Sequence, residues 1–479
     1  MKKSDSKSNK ETLEEEVKRL RKENAKLKSQ KAAKEAKLKE ARKELKKKRR
    51  KDRDCDRRTN EIVIEHIPGH RYSLLIVQLC VLIYIRTNCG LRTVVKILEI
   101  FNEVLEGKCG KVPCYNTVEN WMKKLGLSTY ENDNKPTDKK FAYIIDESIM
   151  VNREKLLLIL GVSAEHPGHP LKHEDVTVVS MKSCGCFKGD DIKQEIEKSI
   201  EKNGAKPEYV ISDQAHNLTN GISQSGLLHH IDISHAMGTC LKHAYGNEPD
   251  FVNFTTILGK VRLQYHLTDK AYLLPPNMRS IARFMNMNSW VDWGNKMLGC
   301  FASLPKEMQD AYSFVLDYKE LLVELKTAVA SVEHIETICK TEGFNLANSK
   351  KCKNYITRHI IGNANNRRAM LGIKILEYLK QQEEKLNDIY ESRNISSDII
   401  ESTFGVFKQK KSPNKLYGIT PFVLFIPLHA KLENKSATKT FNFKERLCNV
   451  KLKDIDTFAN NHMSTNWVTV RTKQLKNVG

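Results

Sequence analysis

The spacing of hydrophobic positions changes twice along the chain. Between residues 74 and 125 it is helical. "LLIVQLCVLIYI" reads as a buried helix, Cys89-Gly90 breaks it, and "LRTVVKILEIFNEVL" continues. In "KVPCYNTVENWMKKLGL" Val118, Trp121, Met122 and Leu125 mark one face, and Gly126 reads as the stop. From Lys140 the period falls to two. "FAYIIDES", "EKLLLILGVSA" and "DVTVVSMKS" predict three successive strands, the first two long enough for central positions. The helix "DDIKQEIEKSIEKNGA" follows and closes at Gly204. A short strand then ends in "YVISDQAHN", and "LLHHIDIS" predicts a fifth strand. The order is β-β-β-α-β-α-β. After His235 the pattern is helical to about residue 395. "SSDIIESTFGVFKQKKS" then starts another helix, and "GITPFVLFIPLHAKL" is a further apolar segment.

The first 58 residues follow a different rule. Leu13, Val17, Leu20, Asn24 and Leu27 recur at steps of four and three, a heptad seam with Asn at an a position, which favours a parallel two-stranded coiled coil. Lysines at 31, 34 and 48 then enter the seam among Leu38, Ala41 and Leu45, and the segment ends in "KKKRRK". A solvated single helix or a disordered tail is the plainer reading. This arm holds 25 Lys and Arg against 12 Asp and Glu, more than half of the chain's net charge of +22. Such an excess attracts a polyanion through counterion release, so double-stranded DNA is the expected partner, with homodimerisation through the coiled coil.

Charge also sharpens the third helix. Asn116, Asn120, Lys123 and Lys124 lie opposite its apolar face, the form of a helix-turn-helix recognition helix, although any small helical bundle shows the same periodicity. "ENDNKPTDKK" reads as the linker that follows. No apolar run approaches the roughly 20 residues of a membrane span, since the longest holds twelve with Gln78 inside. A membrane partner is not expected, and a cytoplasmic, nucleoid-associated location is. Of the 12 cysteines only Cys109/Cys114 and Cys184/Cys186 are close pairs. Neither has a second pair at zinc-finger spacing, so reduced thiols are expected.

Two strands deliver carboxylates. Asp146 ends the first and Asp213 the fourth, and in the predicted order these strands are neighbours. Two adjacent carboxylates repel, and a divalent metal relieves the repulsion. Glu401, in "DIIESTFGVFK", is the candidate third acid. The alternatives are a capping box formed by Asp398 and Glu401, or Asp398 itself as the ligand.

Asp146, Asp213 and a late helical Glu401 on this strand order resemble the ribonuclease-H-like core of DDE transposases. The resemblance covers about residues 139–235 and 390–430. Lys408, seven residues after Glu401, stands where many of these enzymes carry a basic residue for DNA, and Asp232 and His235 in "DISH" match a recurrent Asp/Cys-x-x-His string. The resemblance implies an α/β ribonuclease-H-like catalytic core with a mixed five-stranded sheet and an all-α insertion, preceded by a helix-turn-helix and a coiled coil. The divisions expected are a basic arm (1–58), a DNA-binding domain (59–135), a catalytic core (136–235 and 390–430), a helical insertion (236–389) and a C-terminal tail (431–479). It implies two Mg²⁺ or Mn²⁺ ions on Asp146, Asp213 and Glu401, end cleavage and strand transfer, and element ends and target DNA as partners. A nuclease or resolvase of the same fold, or a non-catalytic DNA-binding regulator, are the alternatives. Glu401 lies 188 positions after Asp213, hence the insertion. In "MNMNSWVDWGNKML" Trp290 and Trp293 are either insert core or, Trp290 first, a ring that stacks on an unpaired base near the active site.

Overall fold

In the computed structural model the described residues are 65–476, apart from 68, 109, 134, 137–139, 152–153, 278–283, 363–364, 387–390, 411–418 and 466, together with 17–26, 28, 34, 39–40, 42–44 and 46. The chain divides into two units, Met1–Glu65 and His66–Gly479. In the first, α1 is described without a break over residues 17–26 and all of it is solvent-facing, including Val17 and Leu20 of the heptad seam. Leu13, Leu27 and the stretch 47–51 lie outside the described residues.

The second unit opens with three helices, α2 (Leu74–Arg86), α3 (Leu91–Val104) and α4 (Tyr115–Asn132). Val118, Trp121, Met122 and Leu125 of α4 are buried as its periodicity predicts. Gly126 does not stop it. The helix runs on to Asn132, and a Cβ at 126 would lie 2.1 Å from the Leu424 carbonyl oxygen, so the glycine serves a close backbone approach. The expected linker therefore begins only at Asp133. Residues 105–114 separate α3 from α4, longer than the three or four residues that join a helix-turn-helix pair.

The sheet contains β1 (Phe141–Val151), β2 (Glu154–Ser163), β3 (Thr177–Cys184), β4 (Val210–Ser212) and β5 (His229–Ile231), in the order β3-β2-β1-β4-β5. The first three are antiparallel, whereas β4 and β5 add in parallel beside β1. Two helices, α5 (Gly189–Asn203) and α6 (His216–Gln224), supply the crossovers. Alternation assigns the faces. Tyr143, Ile145, Leu157, Ile159 and Val210 pack on Ile192 and Ile196 of α5 and Leu218 and Ile222 of α6. Ala142, Ile144, Leu158, Leu160, Tyr209 and Ile211 face the other way, into a larger core shared with α2, α3 and α4.

Beyond β5 come α7 (Ile233–Tyr245), α8 (Pro249–Tyr265), α9 (Met287–Cys300), α10 (Lys306–Tyr312), α11 (Phe314–Asp317), α12 (Lys319–Thr341), α13 (Leu346–Tyr355) and α14 (Asn366–Glu383). They enclose a core of their own, from Ile233 to Ile395. The chain then returns through α15 (Asp398–Lys410) and α16 (Phe425–Leu432). The described residues beyond 430 pack against the rest of this unit. Phe443, Leu447, Ile455 and Phe458 join the core that α4 helps build, and Arg446 pairs with Asp133 at 2.9 Å. The three leading helices, the sheet face and this segment thus share one apolar interior rather than separate domains. Among the described residues no helix is long and apolar enough to cross a membrane.

Candidate active site

Asp146 does not end its strand. β1 runs five residues further because β2 pairs with it as far as Val151. On β1, Asp146 follows Ala142 and Ile144 at period two, so it belongs to the face that packs on the larger core. On β4, Tyr209 and Ile211 occupy that same face and Asp213 continues it one step past the strand end. Pairing of Tyr143 with Val210 and Ile144 with Ile211, carried forward two residues, sets Asp146 abreast of Asp213. Asp146 Oδ1 accepts from the Glu147 amide at 2.7 Å, and Asp213 Oδ1 from the Ala215 amide at 2.9 Å.

The third acid reaches this face from α15, which packs against β1. Its carboxylate, about half exposed, lies 3.8 Å from His235 Nε2. Burial and the nearby charge of Asp213, with a smaller contribution from Glu401, push the Asp146 carboxyl up to about 8. Burial likewise raises the Glu401 carboxyl. Asp398 is engaged elsewhere, with Lys340 of α12 at 2.7 Å and the Ser234 hydroxyl at 3.2 Å. It caps nothing for Glu401, whose amide donates instead to the Ser397 carbonyl at 3.4 Å.

Asp232 and His235 form the support. Asp232 is fully buried and N-caps α7, accepting from the His235 amide at 2.8 Å and the His235 ring Nδ1 at 2.9 Å. Its other oxygen accepts from the Ser397 amide at 2.6 Å, and Ile233 donates to the Ile395 carbonyl at 2.9 Å. The departure of the helical insert from the sheet and its return are therefore fastened together. Burial disfavours a charged ring at His235, yet the Asp232 hydrogen bond and the carboxylates of Asp232, Asp213 and Glu401 outweigh it and raise the ring to about 9. Burial likewise opposes a charged Asp232, but its hydrogen bonds and the His235 charge hold it below the usual carboxylate range.

Lys408 lies in the last turn of α15, its Nζ donating to Ser148 of β1 at 2.6 Å, two residues beyond Asp146. On α4, Asn116 is exposed, while Asn120, Lys123 and Lys124 are half-buried and Lys123 pairs with Glu119 at 2.5 Å. Trp290 does not fit its expected role. It is 1% exposed, packed between Phe251 and Phe254 in the insert core, and offers no ring face to a base. Trp293 is held by a bond from its indole N–H to the Leu273 carbonyl at 2.9 Å. Trp290→Ala is expected to destabilise the insert by about 3–5 kcal/mol, read as an earlier thermal transition. An unchanged transition would show that the ring is not core.

One cluster was missed in the sequence. His173, His429 and Glu433 place ligand atoms within 4.8 Å of one another. No family model matches the chain, and no curated protein matches it.

Proposed function

We propose that the chain is a metal-dependent phosphoryl-transfer enzyme with a ribonuclease-H-like core. Within that class we read it as a DDE transposase that cleaves element ends and joins them to target DNA. The observation that carries this reading is the placement of Asp146 and Asp213 abreast on parallel neighbours β1 and β4, with Glu401 brought to the same face by α15. The strand order β3-β2-β1-β4-β5 and the helical insert returning at α15 support it.

The donor set suits hard divalent ions. Asp146 and Asp213 lie abreast, Glu401 lies on the neighbouring α15 beside the half-buried His235 ring, and a bound cation would lower the raised Asp146 carboxyl. Mg²⁺ or Mn²⁺ held by Asp146, Asp213 and Glu401 would lower the pKa of an attacking water and stabilise the leaving 3′ oxygen. The protein's own groups do the positioning. Asp232 fixes the His235 ring, and His235 steadies the Glu401 carboxylate. Lys408 lies beside β1 at the same face, where it would meet a phosphate. The face of α4 that carries Asn116, Asn120, Lys123 and Lys124 would read the ends, and the basic arm would contact backbone phosphates.

The test is incubation of the purified chain and Mg²⁺ with duplex carrying any inverted repeats found beside its gene. Nicking followed by joining is expected. Nicking without joining would leave a nuclease, and binding without nicking a regulator; either overturns the transposase reading. Deletion of residues 1–58 is expected to flatten the plot of log affinity against log salt, by roughly 0.9 for each phosphate that the arm no longer neutralises. An unchanged slope would place the phosphate-binding cations elsewhere.

A further inference from the structure

His173 sits in the turn His173–Asp175 before β3, His429 lies in α16, and Glu433 follows four residues on, one helical turn along the same face. Their ligand atoms lie within 4.8 Å of one another. His429 is 6% exposed. It is held edge-on against His173, with ring centroids 5.0 Å apart. A largely buried neutral imidazole gains from a partner at its ring nitrogen, and a metal ion is one such partner. A cavity of about 430 Å³, lined by His173, Glu433, Glu174 and Ser402 among others, opens beside the cluster. Glu433 is exposed and free to rotate toward the two rings.

We propose that His173, His429 and Glu433 form a transition-metal site, filled by Zn²⁺, that fastens the 173–175 turn and α16 to the flank of α15. Two imidazoles and a carboxylate are a zinc donor set, whereas Mg²⁺ prefers oxygen alone. Zinc bonds of about 2.0–2.1 Å put tetrahedral ligand atoms about 3.3 Å apart, so the set closes by about 1.5 Å through side-chain rotation. Burial keeps both rings neutral, the form that binds metal. Lys410 is a cation whose charge bears on His429, but its Nζ is turned to the carbonyls of Tyr84, Thr87 and Cys89. His173 also faces α15. Its Nε2 lies 3.3 Å from the Ser402 hydroxyl and its Nδ1 3.4 Å from that of Thr403, so whichever nitrogen takes the metal, the other keeps an orienting partner. Ser402 directly follows Glu401, so an occupied site would steady that turn of α15. Three protein ligands leave a position for solvent. The site stands whether or not Glu401 is catalytic.

The experiment uses the full chain, stripped with a chelator and titrated with Zn²⁺ in excess Mg²⁺, so that hard-oxygen sites are already filled. One equivalent of Zn²⁺ is expected to bind and to raise the melting temperature, since a ligand that binds only the folded state stabilises it. In Glu433→Gln and His173→Gln, both at accessible positions, binding is expected to weaken at least about tenfold and the melting shift to disappear. Co²⁺ in place of Zn²⁺ should give a d–d spectrum in the parent chain that both variants lose. Melting without Zn²⁺ shows whether each variant folds, and if one does not, the other decides. No stoichiometric binding to the parent chain, or parent-like Zn²⁺ binding in a folded variant, overturns the site.

Discussion

Asp146→Asn, Asp213→Asn and Glu401→Gln are each expected to lower DNA cleavage by about two to three orders of magnitude, the scale of losing one preorganised charge-stabilising group, while binding to the ends persists. Each substitution keeps shape and removes one negative charge from the candidate metal ligands. Asp398→Asn is the contrast. Its carboxylate is engaged by Lys340 and Ser234, so cleavage should continue. Normal cutting by Glu401→Gln together with failure of Asp398→Asn would reverse the assignment.

The metal-free chain gives a second readout of the same acids. Folding raises the Asp146 carboxyl to about 8 and the His235 ring to about 9. Both groups bind protons more tightly in the folded state. Their contribution is whole below the unfolded values and declines as pH rises through the folded ones. The contribution of these two groups without metal should therefore fall from about pH 4 toward pH 9, while that of the buried neutral rings of His229, His230 and His429 rises up to the unfolded histidine value. Asp146→Asn should flatten the lower part of that decline and melt higher than the parent chain at pH 8. A difference between parent and Asp146→Asn that does not change with pH would show that the Asp146 carboxyl is not raised in solution.

Asp232→Ala is expected to cost about 3–5 kcal/mol, the range for removing one partner of a buried charged pair. Asp232 is fully buried and accepts from the His235 amide, the His235 ring and the Ser397 amide. Without it the two amides lose their acceptor, and His235 is no longer held toward Glu401. Thermal melting would show the loss as a transition many degrees lower. Asp232→Asn keeps the shape and one acceptor oxygen and should recover part of the stability. Its cleavage should stay low, because a neutral amide no longer holds the His235 proton. Parent-like melting of Asp232→Ala would mean that the fastening is made by backbone bonds alone.

Much of this arrangement was legible in the chain because local rules and tertiary structure agreed. The lengths of "FAYIIDES" and "EKLLLILGVSA" suit interior strands, and β1 and β2 take those places. The strand order predicts that strands one and four are neighbours, and their parallel pairing sets Asp146 beside Asp213. What was illegible depends on distant partners. Gly126 resembles a helix stop until Leu424 approaches it from 298 positions away. Asp398 and Glu401 are equivalent candidates until Lys340 arrives from the insert and occupies one of them. Trp290 could be core or surface on sequence grounds, and only the packing of Phe251 and Phe254 decides. The segment after residue 430 lacks a long periodic stretch, yet α4 needs it to cover Leu125–Tyr130. Of the His173 cluster, the four-residue spacing of His429 and Glu433 was readable, but His173 lies 256 positions earlier and carries no local signature.

The separation of Asp213 from Glu401 by a self-enclosed helical unit also orders events during synthesis. At about 5–20 residues per second, the 188 positions between them take roughly 10–40 s to translate. Throughout that interval the growing chain carries two of the three acids and the basic arm, but neither the third acid nor Ser397, to which Asp232 must bond. On the proposed reading, the basic arm of a nascent chain would meet nucleic acid near the ribosome before the candidate site is complete.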